Sequence, residues 1–175
     1  MFLDLSDVLS ERHKPLDCMV NVELETVRIQ SLDYPVIDKG QAHILVEHIK
    51  DKELHISVQA DVSVNIPCDR CLQEVKYDFK LNYEKRVDLG RSDAELTENL
   101  DESNYIDGYC LDADQLLYNE ILTEWPMKVL CSQDCKGICS VCGQNLNEGT
   151  CSCEGQGLDP RMSVIRDVFK NFKEV

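Results

Sequence analysis

The sequence predicts an α+β fold: an antiparallel β-meander of about four strands, a cysteine-rich zinc-binding segment and two packed helices. Three observations predict it. Apolar and polar residues alternate strictly through 54–66 and again through 75–89, which is the pattern of strands with one buried face. Apolar residues recur at helical spacing after Asp112 and after Asp159. Cysteines cluster at 68–71 and at 131–153, between and beyond these elements.

Residues 1–17 form a lead-in carrying Leu3, Leu5, Val8 and Leu9, with one or two helical turns expected over 6–11. Weaker strands fit 19–29 and 41–49, the second ending near the turn Lys50-Asp51-Lys52. In 54–66 the apolar set is Leu54, Ile56, Val58, Ala60, Val62, Val64 and Ile66, separated by polar residues. In 75–89 it is Val75, Tyr77, Phe79, Leu81 and Tyr83, then Val87 and Leu89. The stretch 91–111 is acidic and weakly patterned and reads as a long loop. Asp112 opens a helix, with Gln115 as its capping-box partner. Leu117, Ile121 and Trp125 fall on one face, and Pro126 ends it. Residues 131–157 are a cysteine and glycine loop region. Asp159-Pro160 supplies a cap and a proline at the first helical position. Ile165, Val168, Phe169 and Phe172 then give the stripe of a last helix. The expected organisation is a β region over 1–90, an acidic loop over 91–111, and a helix, cysteine segment and C-terminal helix over 112–175, packed as one unit with the β region.

Composition narrows the function classes. With 43% apolar and 29% charged residues the chain reads as globular rather than disordered. No apolar run is long enough to span a bilayer, and Asp4 and Asp7 stand where a signal peptide would be basic and then apolar, so a cytoplasmic protein is expected. The net charge of −15 opposes a phosphate backbone, because nucleic-acid affinity comes largely from Lys and Arg displacing counterions. Ten acids and no Lys or Arg lie between Arg91 and Lys128. That stretch is either a solvated acidic loop or a docking surface for a basic protein.

The cysteines carry the chemistry. There are ten, and in a cytosolic chain that abundance points to metal rather than disulfides. In Cys139-Ser140-Val141-Cys142-Gly143 two sulfurs can face one tetrahedral ion, and the glycine lets the backbone turn around it. Cys151-Ser152-Cys153 closes that segment. Cys68-Asp69-Arg70-Cys71 is a second pair, placed where the two strongest strands meet, with Cys131 and Cys135 as its candidate partners. The expected ligand set is therefore Cys68, Cys71, Cys131, Cys135, Cys139, Cys142, Cys151 and Cys153. A rival count joins Cys68 and Cys71 to Cys139 and Cys142 in one site. Four thiolates favour zinc, with iron–sulfur as the alternative. Cys18 and Cys110 read as small buried residues.

Enzyme readings find little support. Pro67-Cys68-Asp69-Arg70-Cys71 matches half of the zinc-deaminase signature, but the residues two after His13, His43, His48 and His55 are Pro15, Leu45, Lys50 and Ser57, none of them the required Glu. A thioredoxin-like reading needs a βαβ context that alternating flanks do not supply. The four histidines read as surface residues, and no phosphate loop or activated nucleophile is evident.

Cys68-Asp69-Arg70-Cys71-Leu72, the string from Cys135 through Cys139, Cys142 and Gly143 to Asn147, the Cys151/Cys153 pair and Asp159-Pro160-Arg161 resemble the bacterial YceD family. The resemblance runs over most of the chain in order and spacing, including the acidic middle and the helix ending at Trp125-Pro126. It implies a role in accumulation of large-subunit ribosomal RNA, a gene neighbour encoding a small basic large-subunit ribosomal protein, and no catalytic activity. The expected function is thus a non-catalytic zinc-binding factor in large ribosomal subunit assembly, with a large-subunit ribosomal protein or pre-ribosomal particle as partner. Direct RNA contact through Arg70 and Lys76, or through Arg161, Arg166, Lys170 and Lys173, is the weaker version. A redox- or zinc-responsive thiol protein is the alternative class.

Overall fold

The longest elements are two adjacent 15-residue strands, β6 (Glu53–Pro67) and β7 (Glu74–Asp88), and they lie where strict alternation predicts them. A computed structural model describes residues 1–50, 53–89 and 105–153. The last expected helix and most of the expected acidic loop lie outside the described residues. Along β6 every expected apolar residue from Leu54 to Ile66 is buried. Alternation buries a whole face at once because successive side chains of a strand point to opposite sides. Ser63 is the exception on the other face; its buried hydroxyl donates to the Asp78 carboxylate at 2.7 Å.

Before β6 come β1 (Phe2–Asp4), α1 (Ser6–Leu9), β2 (Leu16–Asn21), β3 (Thr26–Ile29), β4 (Leu32–Lys39) and β5 (Gln41–Lys50). After β7 come β8 (Ile106–Asp107), β9 (Cys110–Asp112) and α2 (Ala113–Thr123). A six-stranded sheet runs β2-β5-β6-β4-β3, with β7 also pairing β6. A second sheet of three strands runs β1-β9-β8. The order is not that of a meander. The β4–β5 stretch is nearly continuous, and β6 runs back along it, pairing Glu53–Gln59 with β5 and Val62–Val64 with β4. The register slips between Val36 and Asp38 and between His48 and Lys50, as at a bulge.

These observations correct the expected α+β fold of about four strands and two packed helices. Among the described residues the protein is mostly β, with nine strands in two sheets and two short helices, of which α1 is a single turn of four residues. The missed strands have physical reasons. What reads as one strand over 19–29 is two, β2 and β3, separated by the irregular stretch 22–25. β4 buries only Val36 fully and carries Pro35, Asp33 and Asp38, so it shows no clean alternation. Strands β1, β8 and β9 are two or three residues long, too short for any period to register.

The described residues divide into two units, one within Met1–Ile66 and Lys76–Met127, the other formed by Pro67–Val75 and 128–153. In the first, the Asp112 carboxylate caps α2 by accepting the N–H groups of Asp114 at 3.1 Å and Gln115 at 3.3 Å. Gln115 does not complete a capping box: its amide donates to Asn119 at 3.0 Å, one turn on. Leu117 and Ile121 are fully buried, and each such side chain contributes about 1.5–3 kcal/mol. Trp125 lies just beyond the helix, its ring 5.7 Å from Phe79 and 5.0 Å from Tyr34.

Candidate metal centre

The second unit is organised around sulfur. At the tip of the β6–β7 hairpin the Cys68 N–H donates to the Gln73 carbonyl at 2.8 Å, and the Leu72 N–H donates to the Cys68 carbonyl at 2.9 Å. The chain turns through Leu72 at φ +61°. The same construction recurs seventy residues on. The Cys139 N–H donates to the Gln144 carbonyl at 2.9 Å, the Gly143 N–H to the Cys139 carbonyl at 2.9 Å, and φ of Gly143 is +75°. Each knuckle turns its backbone amides inward, toward its own first sulfur.

A second chain segment closes on the first knuckle. Asp69 and Val129 exchange two hydrogen bonds, N–H of Asp69 to the Val129 carbonyl at 2.9 Å and N–H of Val129 to the Asp69 carboxylate at 2.7 Å. The Arg70 guanidinium donates to the Cys135 carbonyl at 2.8 Å. Gly137, at φ +78°, passes so near the tip that a Cβ would sit 3.1 Å from the Arg70 carbonyl oxygen, which selects glycine on both counts. Cys68, Cys71 and Cys135 are thereby buried together, with Val75, Leu130 and Cys131 packed against them.

The sulfurs of Cys68, Cys71, Cys131 and Cys135 all lie within 4.8 Å of one another, and so do those of Cys139, Cys142, Cys151 and Cys153. The closest contacts are Cys68 to Cys135 at 3.8 Å and Cys71 to Cys131 at 3.5 Å. Zinc–sulfur bonds of about 2.3 Å put the edge of a tetrahedron at about 3.8 Å, whereas a disulfide needs about 2.05 Å. The spacing therefore fits four thiolates around one ion, and both groups can hold a metal. Of the groupings open in the sequence, the fold makes the one in which the hairpin-tip pair meets Cys131 and Cys135; Cys139 and Cys142 meet Cys151 and Cys153 instead of the tip.

The surroundings prepare some sulfurs as thiolates. Burial pushes the Cys68 thiol up, but the N–H groups of Cys71, Arg70 and Cys131 outweigh it and bring it to about 6. The N–H groups of Cys142 and Val141 do the same for Cys139, also to about 6. Cys71 accepts from the Gln73 N–H, yet burial and three neighbouring thiols push it to about 12. Cys153, facing Cys142, is likewise pushed to about 12. A dication replaces those protons and offsets the mutual repulsion of four thiolates.

A family model described as large ribosomal RNA subunit accumulation protein YceD matches residues 56–169, a span holding most of the β6–β7 hairpin and all eight clustered cysteines. The chain belongs to the YceD family. No curated protein and no solved structure matches it. The YceD description names a role in accumulation of large-subunit ribosomal RNA and no reaction. Among the described residues, no helix is long and apolar enough to cross a membrane.

Other residues singled out in this YceD chain fall elsewhere. Cys110 is exposed on β9, which corrects its reading as a buried residue, and Cys18 is partly buried on β2. Among the described residues no histidine belongs to either sulfur group: His13 stacks on His48 at 3.8 Å between ring centroids, His43 meets Asp17 at 2.7 Å, and His55 sits between Glu47 and Glu84. Arg70, a candidate RNA contact, is engaged with the Cys135 carbonyl. Three residues that hold the centre were not singled out for that role: Asp69, Arg70 and Asn147. The signal was present, since polar residues with hydrogen-bonding side chains fill the gaps between the cysteine pairs.

Proposed function

We propose that this chain is a non-catalytic zinc-binding factor that supports accumulation of large-subunit ribosomal RNA by binding a basic ribosomal protein or a pre-ribosomal particle in the cytoplasm. The observation that carries the reading is the family match over 56–169, which spans both cysteine clusters. Two S4 arrangements in place of disulfides favour zinc as the ion. Its role is that of a staple: the ion at Cys68, Cys71, Cys131 and Cys135 ties the 131–153 segment to the hairpin tip and contributes to folding. The compact unit expected for 1–90 with 112–175 is part of the same proposal.

The net charge of −15 favours a basic protein over bare RNA as the direct partner. The deciding experiment is a pull-down across a salt series, with and without ribonuclease. Survival of a basic ribosomal protein after ribonuclease supports the reading; loss of every ribosomal partner transfers the contact to RNA. Exposure of Cys142 favours one second reading, a thiol-responsive protein whose metal is released on oxidation.

A further inference from the structure

The two cysteine groups differ in construction. Cys68, Cys71, Cys131 and Cys135 come from segments some sixty residues apart, and three of them are 0–6% exposed. Cys139, Cys142, Cys151 and Cys153 come from one short loop, with Cys142 exposed and the others partly so. An ion in the first group is shielded on several sides by protein. An ion in the second can be reached by solvent and by competing ligands.

Asn147 lies between the two. It belongs to the loop spanning Cys142 and Cys151, yet its Nδ2 donates to the sulfur of Cys135 in the other group at 3.3 Å. The orientation of its amide is fixed by its partners. Its Oδ1 accepts the backbone N–H of Lys136 at 2.7 Å, which leaves Nδ2 for the sulfur and, at 2.8 Å, for the Asn145 side-chain oxygen. Both N–H bonds and the carbonyl of this amide are thus in use. Neighbouring backbone bonds, from Leu146 N–H to the Gly137 carbonyl and from Cys139 N–H to the Gln144 carbonyl, hold the loop in register, each at 2.9 Å. The ends of that loop are Cys142 and Cys151, so an ion in the second group clamps the segment that presents Asn147.

We propose that Asn147 is a positioning residue coupling two unequal metal sites: it fixes the Cys135 sulfur of a permanent site, and does so fully only while an ion in the exchangeable Cys139, Cys142, Cys151 and Cys153 site holds its loop. The inference rests on the zinc reading above. A hydrogen bond to a ligating sulfur restrains that sulfur and withdraws charge from it, and loss of such an outer contact weakens metal binding by about 10–100-fold.

The test uses the full chain loaded with zinc, its ion count read by native mass spectrometry, then challenged with excess 4-(2-pyridylazo)resorcinol. Two phases of one ion each are expected, the second at least about ten-fold slower. Cys142→Ser abolishes the fast phase and also quickens the slow one, because the loop is no longer clamped. Asn147→Asp keeps the acceptor for Lys136 but loses the donor to sulfur, and it quickens the slow phase about ten-fold. With cobalt in place of zinc, Asn147→Asp also shifts the sulfur-to-cobalt absorption of the slow site, which a general loosening of the loop would not do. Release in a single phase overturns the proposal. So does a slow phase in Cys142→Ser that keeps the wild-type rate, or an unchanged cobalt band in Asn147→Asp. A chain that takes up no zinc at all overturns the zinc reading together with this one, so the two failures are told apart at the first mass spectrum.

Discussion

Asp69 and Val129 hold each other by two hydrogen bonds, of 2.9 and 2.7 Å, across sixty residues of sequence. This pairing aligns the segment running on to Cys131 and Cys135 with the hairpin-tip pair. Asp69→Ala leaves the Val129 N–H without its carboxylate acceptor and is expected to cost about 1–3 kcal/mol. Asp69→Asn keeps an oxygen acceptor and should fall between. Chemical denaturation of zinc-loaded protein measures both; an Asp69→Ala curve overlying the wild type would show that the carboxylate bond to Val129 contributes nothing, the backbone bond being retained in that variant.

The two knuckles differ at the residue that takes the left-handed conformation. Gly143 takes φ +75° at no steric cost, while Leu72 takes φ +61° with a Cβ and an apolar side chain 64% exposed. A left-handed residue with a Cβ costs about 1–2 kcal/mol. Leu72→Gly is therefore expected to raise the stability of the tip by up to about 1 kcal/mol, net of its added chain entropy. A lowered melting temperature would mean that the exposed leucine side chain supports the fold.

Acid should strip the metal. Cys68 and Cys139, held at about 6 by backbone N–H groups, are the thiolates that persist longest as pH falls. Cys71 and Cys153, at about 12, must lose protons for an ion to bind. Binding thus releases protons and strengthens with rising pH. Zinc retention should hold at neutral and alkaline pH and fall as the solution is acidified, because protons compete with the ion for the thiolates. Zinc content after dialysis at stepped pH checks this, and retention unchanged at pH 4 would count against thiolate ligation.

The β-rich unit has its own expectation. Leu117 is fully buried on α2. Leu117→Ala should cost about 2–5 kcal/mol in urea unfolding, the range for a cavity at a packed position. A loss under about 1 kcal/mol would mean that the helix is less firmly packed than its burial indicates.

Arg70 discriminates between partner modes. Its guanidinium is committed to the Cys135 carbonyl, so Arg70→Ala should weaken zinc retention while leaving the salt dependence of ribosomal pull-down unchanged. A flattened salt dependence with full zinc content would instead place Arg70 on a phosphate.

The sequence by itself determined the parts whose signals are local. Strict alternation located β6 and β7, because a strand with one buried face must alternate. Each C-x-x-C string marked a pair of convergent sulfurs, because two intervening residues suffice to turn the chain. Asp112 announced the start of α2 through its own side chain. Tertiary structure decided the rest. It placed Cys131 3.5 Å from Cys71 although sixty residues separate them, and no local pattern encodes that distance. It made strands of Leu32–Lys39 and of Cys110–Asp112, where Pro35, exposed charges and short length erase the period and cross-strand hydrogen bonds supply the order. It also turned Asn147 toward Cys135, since a side-chain amide gains direction only when neighbouring backbone groups need its oxygen.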